Sequence, residues 1–178
     1  MKKIIILSIM IFLVITSSGF SQKINTYTSG NYKPGLMNIT ELNGGIGLYQ
    51  LDRDYAKRVF NVTTIMATGL AKNLTGGIGA GISLYNGGTL VPFFADIRYY
   101  FNVGKTRCFI MGDGGIILNT AKTDGGPKYL VSPGAGVVFP VTKSMSVNLG
   151  TFLFTQFGDK EYGHDSFANL KLGITYFL

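Results

Sequence analysis

FANLKLGITYFL, residues Phe167 to Leu178, alternates without a break. Ala168, Leu170, Leu172, Ile174, Tyr176 and Leu178 form an apolar row, while Phe167, Asn169, Lys171, Gly173, Thr175 and Phe177 form a mixed one. Period two with one apolar face predicts a strand. This strand keeps its hydrophobic row through Leu178. A frayed end in water is rarely so apolar. The last strand of a closed barrel is, because it pairs with the first.

Working back from that stretch, the same alternation recurs between turn signals. It predicts strands over Asn38–Tyr49, Phe60–Leu70, Leu74–Tyr85, Leu90–Phe101, Arg107–Leu118, Tyr129–Phe139 and Ser144–Phe157, which with the last makes eight. An even number suits a bacterial membrane barrel. In the third strand Leu74, Ile78, Ala80, Ile82 and Leu84 oppose Gly77, Gly79, Gly81 and Ser83. In the fourth, Val91, Phe93, Ala95, Ile97, Tyr99 and Phe101 oppose Asp96 and Arg98. The second strand is rich in Thr, and its facing stays open. Pro92 and Pro133 fall inside strands and cannot donate to a ladder. Pro92 is near the outward end, where fraying or a bulge is the expected remedy, and Pro133 before Gly134 suggests a bulge.

Strand parity sorts the connections. With the amino-terminal side in the periplasm, 50–58, 86–89, 119–128 and 158–165 face outward, and 71–73, 102–106 and 140–143 face the periplasm. Both chain termini then lie in the periplasm. All but one of the outward connections are the longer ones, as in outer-membrane barrels.

Ahead of the barrel, Lys2 and Lys3 precede the apolar run Ile4–Ile15 and the small-residue stretch ending at Ser21. That order predicts a cleavable signal peptide over 1–21. Residues 22–37 read as a polar periplasmic lead-in, and 38–178 as the barrel. No later segment is apolar enough for a spanning helix. The net charge of +7 is modest and unclustered, which argues against a nucleic-acid partner. One Cys and one His leave no zinc site of usual ligation, so no metal and no cofactor are expected.

The polar row separates two kinds of barrel. A soluble lipocalin-like barrel would carry many Lys and Glu outside. Here that row is mostly Gly, Ser, Asn and Thr, with Glu41, Asp96, Arg98, Asp113 and Lys171 as the charged members. Charges of both signs suit a narrow lumen filled by side chains. The expected pairings are Arg98 with Asp113 or Asp96, and Lys171 or Arg98 with Glu41. Without Trp, the interfacial belts fall to Tyr99, Phe101, Phe139 and Tyr176 at one end and to Tyr129 at the other, where Tyr85 also lies but on the inward row.

Two resemblances follow from these residues. Gly173, Tyr176 and Leu178 resemble the carboxy-terminal assembly signal of bacterial outer-membrane proteins, with Leu172 and the final Leu as departures. The segment from Asn38 onward, above all GGIGAGISLYNGGTLVPFFADIRYYF (Gly76–Phe101), resembles the small outer-membrane β-barrel domain family of Bacteroidetes-type bacteria. The resemblance implies a bacterial outer-membrane location. Its implied partners are outer-membrane lipid, lipopolysaccharide and the barrel-assembly machinery. It carries no catalytic residues.

Remaining motifs have structural readings. Gly77, Gly79 and Gly81 miss the G-x-G-x-x-G spacing and share one strand face. His164-Asp165-Ser166 resembles the H-x-S of outer-membrane lipid A deacylases, whose Glu follows on the same stretch. No Glu or Asp follows Ser166 here to orient the imidazole, so His164 reads as an exposed loop residue. The expectation is an all-β, eight-stranded, up-and-down transmembrane barrel without enzymatic activity. Its role would be structural or adhesive, with any extracellular ligand met by the outward loops. The alternatives are a lipid-modifying hydrolase using His164 and Ser166, a narrow channel or small-ligand binder, and the lipocalin-like barrel.

Overall fold

A computed structural model describes residues 35–48, 57–85, 88–119, 128–159 and 163–178. Residues 1–21, expected as a signal peptide, and most of 22–37, expected as a lead-in, lie outside the described residues. The strands are β1 (Met37–Gly47), β2 (Arg58–Ala71), β3 (Leu74–Tyr85), β4 (Gly88–Val103), β5 (Thr106–Asn119), β6 (Lys128–Pro140), β7 (Met145–Asp159) and β8 (Gly163–Phe177). Each pairs antiparallel with the next, and β8 closes on β1. The closing register runs from Met37↔Phe177 to Gly47↔Phe167, so the alternating terminal stretch supplies most of the seam.

Most strands run further than the sequence pattern suggested, but β3 has the expected bounds and β1 ends at Gly47, with Tyr49, its expected last residue, outside the described residues. Met37, assigned to the lead-in, is a buried residue of β1. The stretch 158–165, expected as a charged outward loop, is largely strand: Gln156 pairs with Asp165, Phe157 with His164, and Asp159 with Gly163. Only 160–162 remains between β7 and β8. Long outward connections therefore reduce to 48–57 and 120–127.

Neither proline makes a bulge: Pro133 lacks the one expected, and at Pro92 the ladder opens locally, in keeping with the fraying that was the other expectation. Pro92 pairs with Ile117 of β5, while the β3–β4 ladder lapses between Ala80↔Phe93 and Ser83↔Leu90 without changing register. Pro133 pairs with Gly112 of β5, and the β6–β7 ladder lapses between Val131↔Thr155 and Gly134↔Phe152. The missing N–H is accommodated by a gap on one side of the strand. The register shifts occur elsewhere, at Gly69/Ala71 and Phe157/Asp159.

The two rows of each strand face opposite media. Outward lie large apolar side chains such as Ile78 (74% exposed), Leu170 (66%), Ile97, Ile110, Leu149, Leu172 and Ile174. Inward lie the buried polar residues Glu41, Asn43, Asn61, Asp96, Arg98, Asn148, Asn169 and Lys171. Continuous apolar surface on this scale is not stable in water. Lipid covers it at no cost, and a closed barrel leaves no backbone edge unpaired in lipid. This is the reverse of a soluble ligand-binding barrel. Outward polar groups pair locally: Asn38 Nδ2 donates to Thr64 Oγ1 at 3.0 Å, and Thr40 Oγ1 donates to Asn38 Oδ1 at 3.1 Å. The outward aromatics Tyr99, Phe101, Phe139 and Tyr176 ring the turn end, and Phe60, Tyr129 and Phe157 ring the loop end. The Tyr85 side chain lies outside the described residues. The Thr-rich β2 turns Val59, Asn61, Thr63, Ile65 and Ala67 inward.

Inward glycines make room for rings. A Cβ on Gly79 would sit 2.5 Å from Phe94 Cζ, and one on Gly136 would sit 2.6 Å from Phe109 Cζ. Gly77, Gly79 and Gly81 thus lie on the lumen side of β3, within a packed wall. No nucleotide loop is formed there.

Candidate functional site: the lumen charge cluster

The lumen gathers the five expected charged residues from four parts of the wall. β1 supplies Glu41, β4 supplies Asp96 and Arg98, β5 supplies Asp113, and β8 supplies Lys171. Alternation turns each inward, since their neighbours Leu42, Ile97 and Leu170 occupy the outward row. Arg98 Nε donates to Asp96 Oδ1 at 3.1 Å and Oδ2 at 2.9 Å. Its Nη2 lies 2.9 Å from Asp96 Oδ2 and 2.9 Å from Glu41 Oε1. The other Glu41 oxygen, Oε2, lies 2.8 Å from Lys171 Nζ. Glu41 is therefore the bridge between two cations, and Arg98 the bridge between two carboxylates. Of the alternatives read from sequence, Arg98 takes Asp96 and Glu41 rather than Asp113.

Neutral residues complete the cation shells, and the sequence reading did not include them. Lys171 Nζ donates to Met111 Sδ at 3.0 Å and stands 4.6 Å from the centre of the Phe152 ring. Arg98 Cζ stands 5.5 Å from the Phe109 ring centre. Ring faces attract cations where water is excluded. The signal for Met111, Phe109 and Phe152 is their inward parity. Their apolar character hid it, because they read as wall rather than as site. Tyr100 was assigned no role either. It is buried, 6.0 Å from Phe109 between ring centres, with the Arg107 guanidinium 4.9 Å over its ring.

Asp113 stands apart in its chemistry. It faces Asp96 directly across the β4–β5 ladder, and its Oδ1 has no hydrogen-bond partner among the described residues. It lines a small chamber of about 20 Å³ together with Asn43, Asn61, Thr63 and Ser83. Asn43 Oδ1, Asn61 Oδ1, Thr63 Oγ1 and Ser83 Oγ also lack protein partners. Buried oxygens without partners are satisfied by internal water, and a chamber of this size holds about one water molecule. Val59, Leu90, Ile117, Leu130, Phe154 and Phe167 lie toward the loop end. The arrangement can hold the wall together and hold water. It offers no wide path along the axis.

The other sequence candidates lie away from this cluster. Ser166 is on the outward row of β8, and its hydroxyl is 3.0 Å from Thr155 Oγ1. His164 lies within β8, paired with Phe157, and is not the loop residue expected; its side chain lies outside the described residues. Asp165 accepts from Gln156 Nε2 at 2.8 Å. Gly173 faces the lumen, with its missing side chain 3.2 Å from Glu41 Cγ, and Tyr176 faces outward. Among the described residues no cluster of His, Cys, Asp and Glu has metal-site geometry.

Comparison with known proteins gives the fold independently. No protein-family model and no curated protein sequence matches the chain. Among solved structures, the chain is similar to the Neisserial surface protein A, with a TM-score of 0.65 and 11% identity, over 83% of this chain and 99% of that one. Weaker likenesses are to a de novo designed transmembrane β-barrel (TM-score 0.48, 14% identity, 84% of this chain and 100% of that one) and to the amino-terminal barrel domain of Pseudomonas aeruginosa OprF (0.47, 15%, 82% and 100%). At 11% identity the first likeness speaks for architecture alone: a closed, eight-stranded, antiparallel, up-and-down barrel built like outer-membrane barrels.

Proposed function

We propose that the chain is a non-enzymatic outer-membrane β-barrel of the small Bacteroidetes-type kind, with a structural or surface-interaction role. The observation that carries this reading is the inward burial of its ionisable groups. Asp96 and Arg98 are 0% exposed, and Glu41 is spent on Lys171 and Arg98. Groups so enclosed stabilise the wall and are not offered to a substrate. The hydrolase alternative draws little support, because the Ser166 hydroxyl is engaged with Thr155. The channel alternative is disfavoured by the small, apolar-capped chamber.

On this reading residues 1–21 direct export, both termini lie in the periplasm, and the loops 48–57 and 120–127 meet the outside. Gly173, Tyr176 and Leu178 engage the barrel-assembly machinery, while outer-membrane lipid and lipopolysaccharide surround the apolar rows. Any extracellular ligand is met by the loops. Cell fractionation with a denaturing gel tests it. Recovery in the outer-membrane fraction, with a band that shifts on heating, is expected. Recovery as a soluble periplasmic protein refutes it.

A further inference from the structure

We propose that the turn end of the barrel is a docking surface for anionic glycerophospholipid headgroups, held by Lys72, Lys105 and Lys143. Each of the three hairpins closing at this end presents one exposed lysine: Lys72 between β2 and β3, Lys105 between β4 and β5, and Lys143 between β6 and β7. The first two turns are tight. Asn73 takes φ 61° and Gly104 takes φ 59°, left-handed values that Asn and Gly tolerate, and each lysine is the adjoining residue. Tyr100 N bonds Asn73 O at 2.8 Å, and Val141 N and Thr142 N both bond Met145 O at 3.0 Å. The lysines therefore spring from firm turns spaced around one rim.

The acidic residues are all elsewhere. Of the nine in the chain, Glu41, Asp96 and Asp113 are inside the barrel, Asp159 and Asp165 lie in β7 and β8 at the loop end, and Asp52, Asp54, Asp124 and Glu161 fall in sequence between β1 and β2, β5 and β6, and β7 and β8. Among the described residues the turn end thus carries exposed lysines and no acidic side chain. Immediately beneath the lysines stand the exposed apolar side chains Tyr99, Phe101, Val103, Phe139, Val141 and Tyr176. Aromatic collars lie at headgroup level, and lysines just beyond them reach lipid phosphates. A rim whose lysines adjoin such a collar fits a lipid surface better than a soluble anionic polymer. A headgroup of net negative charge answers the uncompensated lysines, whereas a zwitterionic one brings its own cation. The inference rests on the membrane reading proposed above, and it names the lipid class that reading leaves open.

Lipid-selective quenching tests it. The chain has no Trp, so Tyr99→Trp provides a single reporter at the rim. The protein is reconstituted in phosphatidylcholine containing brominated phosphatidylglycerol or brominated phosphatidylcholine. Phosphatidylglycerol is expected to associate at least about fivefold more strongly, the value of one lysine at an anionic surface. The preference should shrink in high salt. The triple variant Lys72→Gln, Lys105→Gln, Lys143→Gln should lose it while keeping a heat-shifted band. Equal quenching by the two lipids, or a preference that survives in the triple variant, overturns the proposal. So does lysine-dependent co-sedimentation with peptidoglycan without any lipid preference, which makes the rim a polymer site. Absence of any heat-shifted band overturns the membrane reading and this inference with it.

Discussion

Arg98 Nη2 on β4 sits 2.9 Å from Glu41 Oε1 on β1, although β1 pairs only with β2 and β8. The ion pair spans the lumen and ties opposite walls. Burial makes each partner dependent on the other, since an isolated charge would pay a desolvation penalty of several kcal/mol.

Arg98→Ala is expected to cost about 3–5 kcal/mol and to lower the temperature of the gel-shift transition. Lys122→Ala, in the sequence between β5 and β6, should leave it unchanged. A double-mutant cycle with Glu41→Gln should give a coupling energy of about 0.5–3 kcal/mol. Strict additivity would mean that the two side chains do not support each other.

Asp96 and Asp113 should respond in opposite ways to loss of charge. Asp96 binds Arg98 through both carboxyl oxygens, so Asp96→Asn strips a buried cation of its main partner. Asp113 faces Asp96 across the ladder, where like charges destabilise. Asp113→Asn keeps the shape and can donate to Asp96. It should be neutral or stabilise by up to about 1 kcal/mol, read by the same transition. A loss as large as that of Asp96→Asn would assign Asp113 an essential cation partner.

Parity was legible in the sequence, and stagger was not. Alternation placed Glu41, Asp96, Arg98, Asp113 and Lys171 on inward rows, because each lies between apolar or small residues with the opposite facing. Which of them meet depends on register and tilt around a closed sheet, which period two does not encode. So Arg98 had two candidate partners on its own side of the barrel, and it takes Asp96, two residues away on the same inward row, rather than Asp113 on the neighbouring strand. Facing stayed open in β2, where Thr63 is inward and Thr64 outward, because Thr suits either medium. Strand ends were set too early in the 158–165 stretch: Asp159, His164 and Asp165 resemble loop residues in a sequence and are ladder residues in the barrel. Met111 and Phe152 were hidden by their apolar character, since their contacts to Lys171 are visible only in three dimensions.

Gly79 and Phe94 should behave as a size-matched pair. A methyl at Gly79 would meet the ring and also Ile65 Cγ1 at 3.0 Å. Gly79→Val is expected to cost about 1–3 kcal/mol by overpacking. Adding Phe94→Leu should recover part of that loss in the same melting assay. If Phe94→Leu worsens it further, the ring is not the obstacle.

Spin labels along the outward row of β8 test the facing of the whole wall. With Cys108, the chain's single cysteine, replaced by Ser, nitroxides are placed in turn at Ala168, Leu170, Leu172, Ile174 and Tyr176 of the reconstituted protein. Lipid-soluble oxygen should relax Leu170, Leu172 and Ile174 strongly and a water-soluble nickel reagent weakly, with nickel access rising toward Tyr176 at the turn end. Strong nickel access at Leu170 and Leu172 would place that row in water and overturn the transmembrane barrel.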